Sequence, residues 1–512
     1  MKHDTWALIA AGLILGATGD ALLHTPDNIG LNMSLWIAAV AVAALVLSRR
    51  AEPTLDRERV VWLLIGVVCA AGLAWRDAPP LKLLALASAT LTFALAAHRP
   101  VAAWVRRSGV VRYAGALALG AVYAWTAAVL VVPAAVDATR STRRVEPGRA
   151  AGWRTAAAVG RGAAIATPFV AVFGALFMSA DAVFAELVTN VLRFDLEWVG
   201  SHIVLFLAFA WISTGYLRGF LTGTELPLAA GRGPWIDGRI LQAPGRLLGI
   251  TEVATVLAAI DLLFLIFVIV QFRYLFGADA LVQITPDLTY ADYARRGFFE
   301  LVAAVALVVP VLLAADWVLD QRNRRDAFVF RGLAGVQILL VLAVAASALH
   351  RLSLYHASYG LTDARFYAMV LLIWIGAMLL WLAATVLRGR RHVFAFGTLA
   401  SGLATIALLF VINPDAIIAR TNVARMASAD ATVRFDVAYA TTLSADAVPV
   451  LIAALSSLPA DVQCRLARHM LRRWPPDRDR SIRSWSWSEA QASHAIRGDE
   501  ARLRSMAESC PR

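Results

Sequence analysis

About a dozen stretches of roughly 20 mostly apolar residues recur along this chain, and they constrain its fold more than any other feature. Hydrocarbon offers no water to satisfy backbone N–H and C=O groups, so a crossing segment must be a helix that bonds its own backbone. The stretches run near 5–23, 33–48, 60–75, 81–97, 113–136 and 155–178, then 198–221, 249–276, 297–319, 332–350, 364–387 and 393–412. The expected fold is all-α: a polytopic transmembrane helical bundle of about 12 spans, give or take one, with a small C-terminal helical extramembrane domain. The organisation expected is N-terminal spans over 1–136, a second set of spans over 137–412 and a polar tail over 413–512.

Composition agrees. Of 512 residues, 59% are hydrophobic and 16% charged, with a mean hydropathy of +0.65. Soluble domains average about 45–50% apolar and 25% charged, so a water-soluble chain of this kind would lack a polar surface. The net charge of +12 raises the question of nucleic acid. The basic residues, however, sit in pairs between apolar runs: Arg49-Arg50, Arg106-Arg107, Arg143-Arg144, Arg324-Arg325 and Arg390-Arg391. That pattern pins loops to anionic headgroups, whereas a nucleic-acid binder gathers its charge on one soluble face. The partners expected are the lipid bilayer and, as a candidate, another membrane protein, with no nucleic acid. Lys2 and Lys82 are the only lysines, an arginine bias of the kind a GC-rich bacterial genome produces. The location expected is the bacterial cytoplasmic (inner) membrane, with many passes.

The opening MKHDTWALIAAGLILGATGD has a weak positive start and no small-residue cleavage site, so a retained first span is expected. Cys69 falls in an apolar run, while Cys464 and Cys510 fall in the tail and could pair if the tail lies outside the cytoplasm. Pro26, Asp27 and Asn28 mark one turn, and Asp77, Pro79 and Pro80 another. Residues 222–248 read as an irregular Gly- and Pro-rich loop.

Loop charge gives a conflict over orientation. Arg-rich loops 49–59 and 98–112 place the N-terminus in the cytoplasm, but loops 137–161, 222–248, 320–331 and 388–392 alternate in the opposite phase. The later, larger set places the tail on the periplasmic side. After residue 412, Asn413-Pro414-Asp415 reads as a helix start, with Asn as N-cap and Pro at the first position. Ser444 begins a second helix carrying Val448, Leu451, Ile452 and Leu455 on one face. A third helix is expected over 460–473 and a fourth over 486–508.

Ionisable residues at membrane depth cost about 2.5–3.5 kcal/mol each and often mark function. Asp292, Arg296 and Glu300 recur at i, i+4, i+8 beside Tyr290, Tyr293, Arg295 and Gly297. Such a ladder either holds a polar group or fixes the helix at the interface. Glu252 and Asp261 lie in one apolar run but point to opposite sides of a helix, so each needs a partner elsewhere; Arg296 and His202 are candidates. Arg351, Tyr355 and Tyr359, with His350, His356, Asp363 and Arg365, read as an interface rim. Asp20, His24 and Asp27 follow the first span, where an acid suggests a transferase using a lipid-linked donor. No P-loop, dinucleotide fingerprint, nucleophile elbow or zinc motif is present, and no cofactor or metal is expected.

The stretch TYADYARRGFFEL (289–301) resembles the bacterial membrane proteins grouped as a domain of unknown function, DUF-4173, and its relative DUF-4153. SADAVFA (179–185), NPDAIIARTN (413–422) and LSADAVP (443–449) agree in order, over roughly 150–490. The resemblance implies signature positions at Tyr290, Tyr293, Arg295, Gly297, Phe298, Glu300, Asn413, Pro414, Arg420 and Asn422, and no established activity. It implies a Trp-Asn pair where this chain has Trp485-Ser486. The tail, through Arg420, Asn422 and Arg425, is expected to pack over the Tyr290–Glu300 mouth. Two functions follow as expectations: a non-enzymatic envelope module, meaning a sensor, assembly partner or transporter-like core with buried acids, or an integral-membrane transferase using Asp20 or Asp27.

Overall fold

A computed structural model describes residues 2–24, 28–51, 56–97, 196–222, 249–284, 298–319, 323–428, 435–476 and 481–510, with isolated positions between 113 and 181. Ten long helices come first: α1 (Lys2–Leu23), α2 (Leu31–Ala51), α3 (Arg57–Trp75), α4 (Pro79–Ala97), α5 (Leu196–Thr222), α6 (Ile250–Ile284), α7 (Phe298–Val318), α8 (Arg324–Tyr359), α9 (Asp363–Thr385) and α10 (Arg391–Ile412). Among the described residues, nine helices are long and apolar enough to cross a membrane. The apolar part of α7, Val302–Asp316, is shorter. The expected spans 113–136 and 155–178 lie outside the described residues.

Among the described residues the tail holds six α-helices: α11 (Pro414–Ser428), α12 (Val437–Ala440), α13 (Val448–Ala454), α14 (Ala460–Arg473), α15 (Trp487–Gly498) and α16 (Glu500–Glu508). The fourth helix expected over 486–508 is two helices, broken at Asp499. Val448, Leu451, Ile452 and Leu455 are all buried, as their spacing requires. Cys464 and Cys510 form a disulfide with a Cα–Cα distance of 5.3 Å.

Two apolar cores organise the chain. One is shared by α1–α4, parts of α5, α9 and α10, and the tail. The other lies among α6–α9 and takes in Phe394 of α10. The tail therefore shares its core with the spans beneath it.

Polar bonds fix which helix ends lie together. His24 Nε2 and Ser201 Oγ are 2.9 Å apart, joining the end of α1 to the start of α5. At the other end, Arg59 donates to Ala96 O (3.0 Å) and to Phe220 O, and lies over the Phe220 ring, tying the start of α3 to the ends of α4 and α5. The α8–α9 turn meets the tail through Asn422. Tracing the spans from these anchors places Lys2, Arg49, Arg50, Arg57, Arg324, Arg325, Arg388 and Arg390 at the end away from the tail. The early Arg-rich loop 49–59 and the later loops 320–331 and 388–392 thus share one end, and the conflict of phase does not arise between them. The two spans expected between 98 and 195 lie outside the described residues.

Candidate functional site at the junction of tail and bundle

The turn Trp75-Arg76-Asp77-Ala78 separates α3 from α4, and α4 opens on Pro79-Pro80. Neither proline has an N–H, and the backbone N–H groups just before them belong to residues 77 and 78. Asp446 of the tail takes both. Its Oδ2 accepts from Asp77 N at 2.7 Å and Ala78 N at 3.0 Å. Its Oδ1 accepts from Arg76 Nη1 at 3.3 Å and from Ser488 Oγ. The carboxylate is 1% exposed. A negative charge at a helix N-terminus, bonded to backbone N–H groups and an arginine, is satisfied on both oxygens.

Asp77 returns the arrangement. Its Oδ2 accepts from Ala445 N at 3.4 Å, at the start of the 3-10 turn Ala445–Ala447. Its Oδ1 accepts from Lys82 Nζ at 2.6 Å and Asn28 Nδ2 at 2.7 Å, and Lys82 also donates to Asn28 Oδ1 at 2.7 Å. One of the two lysines in the chain is thus committed here. Each partner's carboxylate caps the other's turn.

Arg76 joins a third element. Nε donates to Phe410 O at 2.8 Å and Nη2 to Val411 O at 3.4 Å, placing a cation on the last carbonyls of α10. Asn413 follows with φ +56°, the only non-glycine residue at positive φ among those described. Asparagine tolerates this conformation, and its side chain serves both neighbours. Oδ1 caps α11 by accepting from Ala416 N at 3.2 Å, and Nδ2 donates to Asp446 O at 3.4 Å.

Asp415, in the first turn of α11, accepts from Ser444 N at 3.0 Å and Ser444 Oγ at 2.6 Å. Burial raises its pKa from the ordinary 3.8; the Ser444 bonds lower it and the Asp446 and Asp363 charges raise it, less strongly. A carboxyl whose folded pKa is raised stabilises fully below its unfolded value, and the contribution fades as pH rises through the folded value. Asn at 415 keeps an acceptor and removes the titration. The melting-temperature difference, Asp415→Asn minus wild type, is expected to grow as pH rises from about 4 towards 7. A flat difference would show that Asp415 does not titrate with folding.

A second junction lies at the α8–α9 turn. Asn422 Oδ1 accepts from Leu361 N at 2.7 Å while Nδ2 donates to Leu361 O at 2.8 Å, so one amide satisfies both backbone groups of one residue. Gly360 has φ +81°, and a Cβ there would stand 2.9 Å from Asn422 Oδ1. Tyr439 OH accepts from Asp363 N at 2.7 Å. Asn422→Ala is expected to cost about 1–3 kcal/mol by orphaning the Leu361 groups. Arg420→Ala, at an exposed position, is expected to stay within about 0.5 kcal/mol. Thermal unfolding in detergent compares the two.

The residues singled out in the sequence divide among different places. Asn413, Asp415 and Asn422 lie in these junctions, whereas Arg420 is exposed. Tyr290, Asp292, Tyr293, Arg295 and Arg296 lie outside the described residues, and for Glu300 only its place in the first turn of α7 is described. Asn422 holds Leu361 and Arg425 lies beside Gly360, so the surface they cover is the α8–α9 turn. Glu252 is exposed and accepts from Gly249 N, a local cap for α6 that needs no distant partner. Asp261 is 7% exposed, and both its oxygens lack a hydrogen-bond partner among the described residues. His202 does not serve it. His202 Nδ1 lies 2.8 Å from both oxygens of Asp20, and its ring stacks on His24 at 3.6 Å. Ser486, where the resemblance implies Asn, is 1% exposed and caps α15 by accepting from Glu489 N at 3.3 Å. Either residue can fill that role.

Sequence reading missed Arg76, Asp77, Lys82, Asp446 and Ser488 as one group. A signal was available: a charged pair before Pro-Pro, and a Ser-x-Asp before Pro449, both mark helix starts short of donors or caps. Among the described residues no group of three or more His, Cys, Asp or Glu side chains is placed to hold a metal ion.

Long apolar helices with a tail docked on their ends through buried carboxylates define a multi-pass integral membrane protein with a small helical domain at one end. The chain belongs to the family described as Domain of unknown function (DUF4153), which it matches over residues 61–454. The match begins within α3 and so includes Arg76, Asp77 and Lys82 as well as Asn413, Asn422 and Asp446. No curated protein and no solved structure matches the chain.

Proposed function

We propose that this protein is a non-enzymatic module of the bacterial envelope, a sensor or assembly partner seated in the cytoplasmic (inner) membrane with its tail outside the cytoplasm. The observation that carries this reading is the exchange of carboxylates between Asp77 and Asp446. It couples the tail to the ends of α3, α4 and α10, so whatever binds the tail also loads the spans. The arginine-rich helix ends lie away from the tail, as expected of a cytoplasmic face, and the Cys464–Cys510 disulfide suits an oxidising compartment. A second membrane protein is the partner this reading implies.

Complementation tests it. In a strain lacking the gene, envelope resistance to detergent and osmotic shock is expected to be restored by wild type and by Asp20→Asn. Asp446→Ala, present at equal level, is expected not to restore it. Full rescue by Asp446→Ala contradicts the reading. A transporter-like form of the module instead places the burden on Asp261, and Asp261→Asn is then the variant that fails.

One observation favours an integral-membrane transferase as a second reading. Asp20 lies 2.8 Å from His202 Nδ1 and orients the imidazole, and His24 Nε2 lies 2.9 Å from the Ser201 hydroxyl beside it, a constellation suited to proton transfer. Accumulation of a lipid-linked donor in the deletion strain and in His202→Ala would support it. Unchanged lipid profiles in both would end it.

A further inference from the structure

The segment Ser481–Ser488 reads SIRSWSWS and alternates strictly from residue 484. Ser484, Ser486 and Ser488 are buried, while Trp485 and Trp487 are 40% and 48% exposed and Ile482 is 80% exposed. Each inward serine has a local task. Ser484 Oγ donates to Ser481 O at 3.1 Å, Ser486 caps α15, and Ser488 Oγ, which meets Asp446, also lies 2.9 Å from Trp75 O. The outward side chains have none within the core.

What they face is set by the anchors around them. Trp485 O accepts from Leu31 N at 3.0 Å, at the first residue of span α2. Arg483 Nη1 donates to Ala21 O at 2.8 Å, in the last turn of span α1. A Cβ on Gly30 would stand 2.6 Å from Trp485 O, so only glycine lets the segment approach this closely. The segment is therefore fastened at the level where two spans leave the bilayer. Trp75, itself 40% exposed, ends a third span at the same level.

Tryptophan is amphipathic and favours the layer between headgroups and acyl chains. We propose that Ile482, Trp485 and Trp487 form a wedge inserted into the adjacent leaflet of the same bilayer, and that lipid seats this side of the tail. The Asp77–Asp446 junction holds the tail from within, and the wedge holds it from the rim. The occupant is phospholipid at the headgroup–acyl boundary.

A nitroxide attached through a maleimide to Ile482→Cys, in a Cys69→Ser background with the native disulfide intact, tests this. The full chain is reconstituted in phosphatidylcholine–phosphatidylglycerol vesicles, and power saturation compares collision with oxygen and with a water-soluble nickel chelate. Position 482 is expected to favour oxygen by several-fold over the exposed tail position Arg472→Cys. Replacing both Trp485 and Trp487 by serine is expected to move the label at 482 towards the aqueous ratio. A label at 482 as open to the nickel chelate as that at 472 overturns the proposal. So does a label shielded from both reagents, which would mean a protein occupant, and so does an unchanged ratio in the double serine variant.

Discussion

Asp446→Ala is expected to free the tail from the bundle, at a cost of about 3–5 kcal/mol. The size follows from what the substitution strands. Asp77 N, Ala78 N and Ser488 Oγ lose an acceptor, and Arg76 keeps its charge beside the ends of α3 and α10 with no counter-ion on this side. A buried ion pair is weak evidence of net stability when compared with an apolar substitute, but removing one partner leaves the other uncompensated. The measurement is protease release of the tail from detergent-solubilised protein, alongside thermal unfolding. Rapid release from Asp446→Ala at a temperature where wild type resists is the expected outcome. Asp77→Ala should act in the same direction, and because the two residues share partners, the double variant should cost less than the sum. Additive losses would show that the two carboxylates do not act as one junction.

The second large effect is expected from the disulfide. Cys464 and Cys510 are 46 residues apart in sequence, and closing a loop of that length removes about 4 kcal/mol of chain entropy from the unfolded tail. The bond ties α14, whose Cys464 is buried, to the residue just beyond α16. Reduction, or replacement of both cysteines by alanine, is expected to lower the tail's unfolding transition and expose α15 and α16 to protease. Cys69, in span α3, takes no part. An unchanged transition after complete reduction would mean that packing between α14 and α16 alone carries this stability.

The spans were legible because their signal is local. About twenty apolar residues in a row permit little else than a membrane helix, and α1 to α5 and α8 to α10 fall where those runs stand. The tail helices were legible for a related reason: Asn413, Ser444 and the Val448–Leu455 stripe announce caps and faces within a single turn or two. The junction was not legible, because its partners are far apart along the chain. Arg76 and Asp446 are separated by 370 positions, and Asn422 and Leu361 by 61. No periodicity connects such pairs. Asp20 stands out as an acid at a helix end, but its partner His202 lies 182 positions away. Glu252 looked like a membrane acid because the run behind it is so apolar, yet a first-turn glutamate is often a cap.

The phase of loop charge carries a lesson of the same kind. It is a counting argument, and one miscounted crossing inverts every loop that follows. Contacts such as Arg59 with Ala96 and Phe220 fix which ends lie together without counting.

Single cysteines in a Cys69→Ser background, probed with a membrane-impermeant maleimide on intact spheroplasts, give the most direct test of the arrangement. Arg420→Cys, on the exposed face of α11, is expected to label from outside, and Asn323→Cys, before α8, only after lysis. Labelling of both positions from the same side would contradict a tail docked at the end of the bundle opposite its arginine-rich helix ends.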